Sequence, residues 1–350
     1  MIKARYHKYV LDFKRPSGTS RGVLTQKETW FLILEENNKK GIGECGILRG
    51  LSIDDRSDYE QKLQWVCQNI HLGKSVLLEH LKEFPSIQFG VEMAFLSLES
   101  EHPLELFPSD FTQGKKSISI NGLVWMGDPA YMKEQIEQKI ADGFHCIKLK
   151  IGAIDFNKEL ELLQFIRSHF DAQTIEIRVD ANGAFTPGEA LSKLNQLHVF
   201  DLHSIEQPIK QHQIFDMAEL CKKTPFPIAL DEELIGVFSL SDKEQLLQKI
   251  KPQYIILKPS LIGGFQGTLD WISIAEKLNI GGWITSALES NVGLNAIAQF
   301  TYTLNSALPQ GLGTGALYTN NFDAPLEVVQ GQLWYNPQVL CKLNQKQRKI

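Results

Sequence analysis

From about residue 117 onward, short runs of β-branched and aliphatic residues alternate with longer stretches whose apolar positions recur every three to four residues. That alternation is the pattern of βα units around a parallel sheet. Strands are expected at Ser117–Asn121, Cys146–Lys150, Ile175–Asp180, Leu202–Glu206, Pro227–Asp231, Gln253–Lys258, Gly282–Ser286 and Gln310–Thr314. Their last residues advance in steps of about 25–30, one βα unit at a time. Thr186-Pro187-Gly188-Glu189 supplies an N-cap, a proline at the first helical position and the glutamate of a capping box. Phe156, Leu160, Leu163, Ile166 and Phe170 stand at helical spacing and mark another helix of the repeat.

The first hundred residues read differently. Residues 2–13 and 27–36 carry strand patterning and are separated by SGTSRG at 17–22, which predicts two strands and a flexible loop. Helical stretches follow at about 54–70, 74–83 and 86–99. The expected organisation is an α+β unit over 1–110, an α/β barrel over 111–325, and a segment over 326–350 that packs back toward the first unit. A barrel consumes roughly 250 residues, so the length accommodates this division.

Strand parity carries the most information, because side chains alternate between the two faces with period two. One parity is apolar throughout: Ile147 and Leu149, Ile177 and Val179, Ile228 and Leu230, Ile255 and Leu257. The other holds Lys148 and Lys150, Arg178 and Asp180, Ser204 and Glu206, then Asp231 and Lys258. A strand buried on both faces should be nearly continuously hydrophobic, so charges facing a barrel interior require an energetic reason.

Asp180, Glu206 and Asp231 close three successive strands, which sets them side by side at the C-terminal mouth of a barrel. Three converging carboxylates repel one another unless a cation joins them. An all-oxygen set with room for water and substrate suits Mg²⁺, for which Mn²⁺ can substitute, better than Zn²⁺. Lys148 and Lys150 share one face of the preceding strand and Lys258 ends the strand after, so amines flank the acids on both sides. A like charge and a nearby divalent ion favour the neutral form of a lysine, whose unperturbed pKa is about 10.4.

Composition narrows the chemistry further. Lys plus Arg total 36 against 41 Asp plus Glu, a formal charge of -5, which offers no broad positive field for nucleic acid. No stretch approaches the roughly 18 uninterrupted apolar residues of a membrane span, and the start lacks an apolar leader core. Five scattered cysteines form no C-x-x-C pair, so the expectation is a cytoplasmic enzyme with reduced thiols acting on a small carboxylate.

The ordered motifs K-x-K (148–150), D-A-N-G (180–183), I-E-Q-P (205–208), A-L-D-E (229–232) and I-L-K-P-S (256–260) resemble the enolase superfamily, in its muconate-lactonising branch. With G-G-F-Q-G (263–267), T-S-A-L-E-S-N-V-G (285–293) and G-L-G-T-G (311–315), the chain is similar in particular to the o-succinylbenzoate synthases of menaquinone biosynthesis. The resemblance implies a (β/α)7β barrel of the TIM type with an N-terminal α+β capping domain, whose mobile loops correspond to about 15–25 and 46–54. It implies a Mg²⁺-dependent lyase that dehydrates 2-succinyl-6-hydroxy-2,4-cyclohexadiene-1-carboxylate through an enediolate. Carried over, Lys150 serves as base and then acid, and Lys258 stabilises the enediolate. Lys148 then contacts the substrate carboxylate and lowers the pKa of Lys150. The same branch contains dipeptide epimerases and N-acylamino acid racemases that use both lysine positions as bases. Those epimerases usually carry an Asp-x-Asp pair on the eighth strand, which 311–315 lacks. A catalytically silent binding barrel would be expected to have lost a lysine or an acid, and all six are present.

Secondary candidates surround this centre. Arg178, Ser286, Glu289 and Gly313 are expected substrate contacts, with holding a metal ligand in place as the alternative for Arg178 and helix capping as the alternative for Ser286 and Glu289. Glu232 and Asn182 are expected to support the acids from behind. Gly41-Ile-Gly43-Glu-Cys-Gly46 satisfies G-x-G-x-x-G, yet it opens no helix and reads as a turn between strand and loop rather than a dinucleotide site. The nine histidines form no zinc-binding spacing, and His203 is expected to pack or cap.

Overall fold

The computed structural model describes residues 1–19 and 22–339; Ser20, Arg21, Cys341 and the basic end at 342–350 lie outside the described residues. A long antiparallel hairpin, β1 (Lys3–Thr19) and β2 (Gly22–Glu36), pairs on to β3 (Lys39–Gly46) in a three-stranded sheet. Helices Tyr59–Gln68, Lys74–Glu79 and Pro85–Glu99 follow, close to their expected places. The third strand was expected to be a turn. Its glycines serve packing, because a Cβ on Gly43 would lie 1.8 Å from the Gly90 carbonyl oxygen and one on Gly41 would lie 2.2 Å from that of Ala94. The G-x-G spacing therefore lets β3 lie directly on helix 85–99.

Two short strands come next, β4 (Ile118–Ser119) and β5 (Gly122–Val124), and then the repeat proper: β6 (Cys146–Lys150), β7 (Glu176–Asp180), β8 (Ser204–Glu206), β9 (Ile228–Leu230), β10 (Tyr254–Leu257) and β11 (Gly281–Ile284). β5 to β11 form one parallel sheet in sequence order. The expected first strand at 117–121 is corrected: the parallel sheet begins at Gly122. β4 pairs instead with the C-terminal hairpin β12 (Leu326–Val329) and β13 (Gln332–Tyr335). The expected strand at 310–314 is reduced to two parallel bridges, Ile120 to Gln310 and Thr285 to Gly311, which join the two edges of the sheet. Pro309 lacks an N–H and glycines dominate 311–315, so the backbone there cannot sustain a longer ladder. Side chains replace it: the Gln310 amide accepts from the Ile284 N–H at 2.8 Å, and Arg178 donates to the Pro309 carbonyl at 2.8 Å. The result is an α/β barrel-like fold.

The outward parity packs as predicted. Ile147, Leu149, Ile177, Val179, Ile205, Ile228, Leu230, Ile255 and Leu257 all lie in the main hydrophobic core under the helices. The helix at Pro187–Leu197 carries the expected capping box between Thr186 and Glu189, and Phe156–His169 is the expected amphipathic helix. The C-terminal segment divides: its hairpin pairs with β4, while Val339 reaches Leu104 and Ile42 near the N-terminal sheet.

Two acids of the first hundred residues dock that unit on the barrel by capping barrel helices. Glu44 accepts from the Ser290 N–H at 2.8 Å and the Gly293 N–H at 2.8 Å, at the start of helix Asn291–Thr303. Glu92 accepts from the Phe265 N–H at 2.5 Å and the Gln266 N–H at 3.0 Å, at the start of helix Gly264–Lys277. G-G-F-Q-G is shaped for this contact, since a Cβ on Gly264 would meet a Glu92 carboxylate oxygen at 2.1 Å. Orphan N–H groups and the helix dipole favour the anion, but burial outweighs them and pushes the Glu92 carboxyl up to about 7.

The folded protein thus holds the Glu92 proton where the unfolded chain releases it near 4.5. This contribution to stability is complete below pH 4.5 and is lost as the pH rises through about 7. Glu92→Gln, which cannot ionise, is expected to gain stability relative to the parent between pH 5 and pH 8, by about 1–3 kcal/mol. Denaturant unfolding at the two pH values measures this. A difference between variant and parent that does not move with pH would contradict it.

Candidate active site

The charged parity meets at the C-terminal ends of β6 to β10. Lys150 is in register with Asp180, and Asp180 with Glu206, across adjacent strands. Asp231 directly follows β9, and Lys258 directly follows β10. All three acids are buried: Asp180 is 0% exposed, Glu206 2% and Asp231 2%. Amines stand between them. Lys148 Nζ lies 3.0 Å from Asp180 Oδ2 and 2.6 Å from Glu206 Oε2. Lys150 Nζ donates to Asp180 Oδ2 at 2.5 Å and to Asn182 Oδ1 at 2.7 Å. On the far side Lys258 pairs with Asp231.

The electrostatics follow from this interleaving. Burial opposes charge on Asp180, but Lys148, Lys150 and Lys258 together hold its carboxyl well below the usual range. Glu206 is pushed up to about 8, by burial first and then by Asp180, with Lys148 opposing. For Lys148 burial favours the neutral amine, yet Asp180 and Glu206 prevail and raise it; Lys258 is raised in the same way by Asp231 and Glu206. The carboxylates thus favour the ammonium form of both Lys148 and Lys258.

Among the described residues, no three His, Cys, Asp or Glu side chains already converge as a coordination shell. Lys148 and Lys258 lie among the acids instead. The donor set nonetheless fits a hard divalent cation: it is all oxygen, it is buried, and Glu206 Oε1 has no hydrogen-bond partner.

Above the acids opens a cavity lined by Lys148, Lys150, Lys258, Asn182 and Glu232 on its polar side. Its apolar wall includes Leu123 and Trp125, and its roof Leu24, Leu48, Arg49 and Leu51, which fall in the expected loop regions 15–25 and 46–54. Asn182 donates to Glu232 Oε1 at 3.0 Å, so both brace Lys150 as well as line the cavity. Ser286 and Gly313 line it too; the Ser286 hydroxyl shares a 2.6 Å hydrogen bond with that of Thr314.

Two expected substrate contacts are placed elsewhere. Arg178 lies in register with Lys148 but leans the other way, with its guanidinium 4.0 Å from the Trp283 ring and its Nε 2.7 Å from Glu176 Oε1. It is a strut in the barrel floor because its partners lie toward the strand starts. His203 packs nearby, against Tyr254 and Trp283. Glu289, 0% exposed, accepts from Ser260 Oγ at 2.6 Å and the Ala287 N–H at 2.7 Å, so it joins two strand ends behind the cavity wall.

Sequence reasoning missed Gln207. It is fully buried with φ 41°, and its side-chain carbonyl accepts from the Asp231 N–H at 3.2 Å while its amide donates to Glu233 Oε2 at 3.2 Å. It thereby fixes the backbone that carries Asp231. Its place beside Glu206 in I-E-Q-P was the available signal. Asn121 and Thr285, which also line the cavity, were not singled out; Thr285 opens the motif at 285–293, while nothing in sequence marks Asn121.

Comparison with known proteins accords with this geometry. Residues 131–338 match the family described as enolase C-terminal domain-like, and residues 1–98 match the MenC N-terminal domain. An o-succinylbenzoate synthase of Desulfotalea psychrophila is 48% identical over 95% of this chain and 98% of its own length. The crystal structure of MenC from that organism superposes with a TM-score of 0.85 at 44% identity, covering 95% of this chain and 99% of that one. An L-Ala-D/L-Glu epimerase of Francisella tularensis subsp. novicida is 24% identical over 76% of each chain. Acids and lysines interleaved on successive strands, and a match to MenC relatives over nearly the whole length, place this chain in the o-succinylbenzoate synthase (MenC) family of the enolase superfamily.

Proposed function

We propose that the protein dehydrates 2-succinyl-6-hydroxy-2,4-cyclohexadiene-1-carboxylate to o-succinylbenzoate, a step of menaquinone biosynthesis, with Mg²⁺ as cofactor. The observation that carries this reading is the placement of Lys150 and Lys258 on opposite sides of three buried carboxylates, beneath a cavity with apolar walls. The architecture is read as a (β/α)7β barrel over 111–325, a capping domain over 1–110 and a returning segment over 326–350. Roof residues from positions 24 to 51 support that division.

The hydrogen to be removed sits on the carbon bearing the ring carboxylate. Lys150, as the free amine, takes that proton, and the bonding pair moves into the carboxylate as an enediolate. The C–O bond to the ring hydroxyl then breaks on the same face, the leaving hydroxide takes the proton back from Lys150, and water departs as the ring becomes aromatic. A divalent cation held by Asp180, Glu206 and Asp231 would supply positive charge where the enediolate oxygens become negative. Lys258 adds charge from the opposite face, and Lys148 contacts the substrate carboxylate. Asn182 orients Lys150 at 2.7 Å, and Glu232 orients Asn182. Leu24, Leu48 and Leu51 help exclude water from above.

Residues 311–315 carry no acid to hold a substrate ammonium group, which argues against a dipeptide epimerase. Direct assay decides. The purified protein with Mg²⁺ is expected to form o-succinylbenzoate and to leave L-Ala-L-Glu unepimerised. Efficient epimerisation without dehydration would overturn the assignment. In Lys258→Ala, solvent deuterium is expected to enter the carbon acid of bound amino-acid-derived ligands through Lys150, and no uptake would count against Lys150 as the base.

A further inference from the structure

We infer that Glu159, on the helix that follows β6, is a positioning residue for Lys150, acting through the loop at 151–155 and the D-A-N-G turn it lies on. Glu159 stands in the first turn of helix Phe156–His169 and is 2% exposed. An acid in a first turn ordinarily serves its own helix N-terminus from the surface. That task is filled by Asp155, whose side chain accepts from the Asn157 N–H at 3.0 Å and the Lys158 N–H at 3.4 Å. Glu159 reaches back into the preceding loop instead: its Oε1 accepts from the Gly152 N–H at 2.6 Å, and its Oε2 is buried without a hydrogen-bond partner. Burying a carboxylate with one oxygen unpaired costs stability, so helix capping does not account for the contact.

Gly152 lies two residues beyond Lys150, and the contact fixes the path of the chain as it leaves the strand. The Ile151 N–H donates to the Asp180 carbonyl at 2.9 Å and extends the pairing of β6 with β7 by one bond. Gly152 then turns with φ 89°, in the left-handed region that favours glycine. A Cβ at this position would lie 2.4 Å from Ala184 Cβ. The loop therefore rests directly on the turn that carries Asn182, and Glu159 holds it there from the other side.

Both ends of the Lys150 side chain depend on this crossing. Its backbone leads straight into Ile151 and Gly152. Its Nζ is held by Asn182 at 2.7 Å, and Asn182 is fixed in the turn by its own N–H to Asp180 Oδ1 at 3.0 Å and by the Ala184 N–H to Ala181 carbonyl bond of 2.9 Å. With no acceptor at Glu159 the buried Gly152 N–H must find another partner, so the loop lifts from Ala184 and the amine moves relative to the group that aims it. Lys258, across the acids, shares none of these contacts. A misplacement of about 1 Å at a reacting group can cost about 100-fold in rate, whereas Glu159 does not line the cavity and touches nothing that receives the substrate.

The inference rests on the reading of Lys150 as the base, and its test includes measurements independent of turnover. In full-length Glu159→Leu, kcat for dehydration is expected to fall about 10- to 100-fold with KM within about threefold. Hydrogen exchange at the Gly152 amide is expected to quicken about tenfold or more. Glu159→Gln keeps an acceptor oxygen and lacks the charge; it is expected to stay within about threefold of the parent in kcat and to keep Gly152 protected. Glu159→Leu with parental kcat would overturn the inference, as would a Glu159→Gln variant that loses as much as Glu159→Leu, or a fall in kcat matched by an equal rise in KM. If Glu159→Leu does not accumulate folded, the parent and Glu159→Gln decide: a Gly152 amide that exchanges as freely as an unstructured one in the parent, or a tenfold loss of kcat in Glu159→Gln, would overturn it equally. A parent lacking dehydratase activity would count against the proposed function alone. The crystal structure of Glu159→Leu would then decide this inference, with Lys150 Nζ expected beyond hydrogen-bond distance of Asn182 and an unmoved amine overturning it.

Discussion

Lys150→Ala is expected to lower kcat for dehydration by roughly 10²–10⁴-fold or more, the scale of general acid–base catalysis. The effect should stand at the upper end, because one amine serves twice: it removes the proton and returns it to the leaving hydroxide. Lys150 lines the cavity and bonds to Asp180 and Asn182, whereas its neighbour Lys148 is held between Asp180 and Glu206 and Lys258 pairs with Asp231 across the site. Removing the side chain leaves Asp180 paired with Lys148, so the acids should remain placed and divalent-cation binding should persist. The measurement is steady-state kinetics beside metal-dependent thermal stabilisation. Near-parental dehydration by Lys150→Ala would refute its role, while the fold and the acid cluster would stand.

Removal of divalent cations is expected to abolish activity, with a loss of roughly 10³-fold or more, since positive charge at a developing enediolate is worth several kcal/mol and each 1.36 kcal/mol is tenfold. The same dependence should appear without turnover. A cation that binds only the folded state raises its stability by mass action, so Mg²⁺ should raise the Tm of the parent. Glu206→Gln should lose most of that rise. Glu206 is the informative position: its Oε1 is buried without a hydrogen-bond partner and its Oε2 is held by Lys148. A glutamine keeps the volume and removes the charge. Full turnover in chelator-treated buffer, or a Glu206→Gln variant with the parental rise in Tm, would contradict a metal site here.

Much of this was legible in the linear order of residues, for a definite reason. A strand's period of two is dictated by covalent geometry, so parity separates Ile147 and Leu149 from Lys148 and Lys150 before any tertiary contact is known. Three acids ending consecutive repeats must become neighbours once the repeats form a parallel sheet, and the register of Lys150, Asp180 and Glu206 realises this. Local capping chemistry likewise placed the helix at Pro187–Leu197. Elements whose pairing depends on remote partners were not legible. β3 exists because Gly41 and Gly43 meet helix 85–99, and the eighth strand shrinks to two bridges that Gln310 and Arg178 support with side chains.

Parity names a face but not a depth or a lean. Lys148 and Arg178 share a face and a register, yet Lys148 rises to Asp180 and Glu206 while Arg178 turns down to Glu176 and Trp283. Partners on other strands choose between those directions. Glu289 was drawn away from the cavity by Ser260, and the lysine charges were decided by how many carboxylates each one touches. By itself the sequence determined the repeat, the faces and the identity of the reactive groups, because these depend on local geometry and residue type. Only the tertiary structure decided which of those groups reach the cavity, and which, like Arg178 and Glu289, instead brace the strands around it. Distances between residues far apart in the chain are set by packing and by the pairing of buried charges, and neither is encoded in any local window.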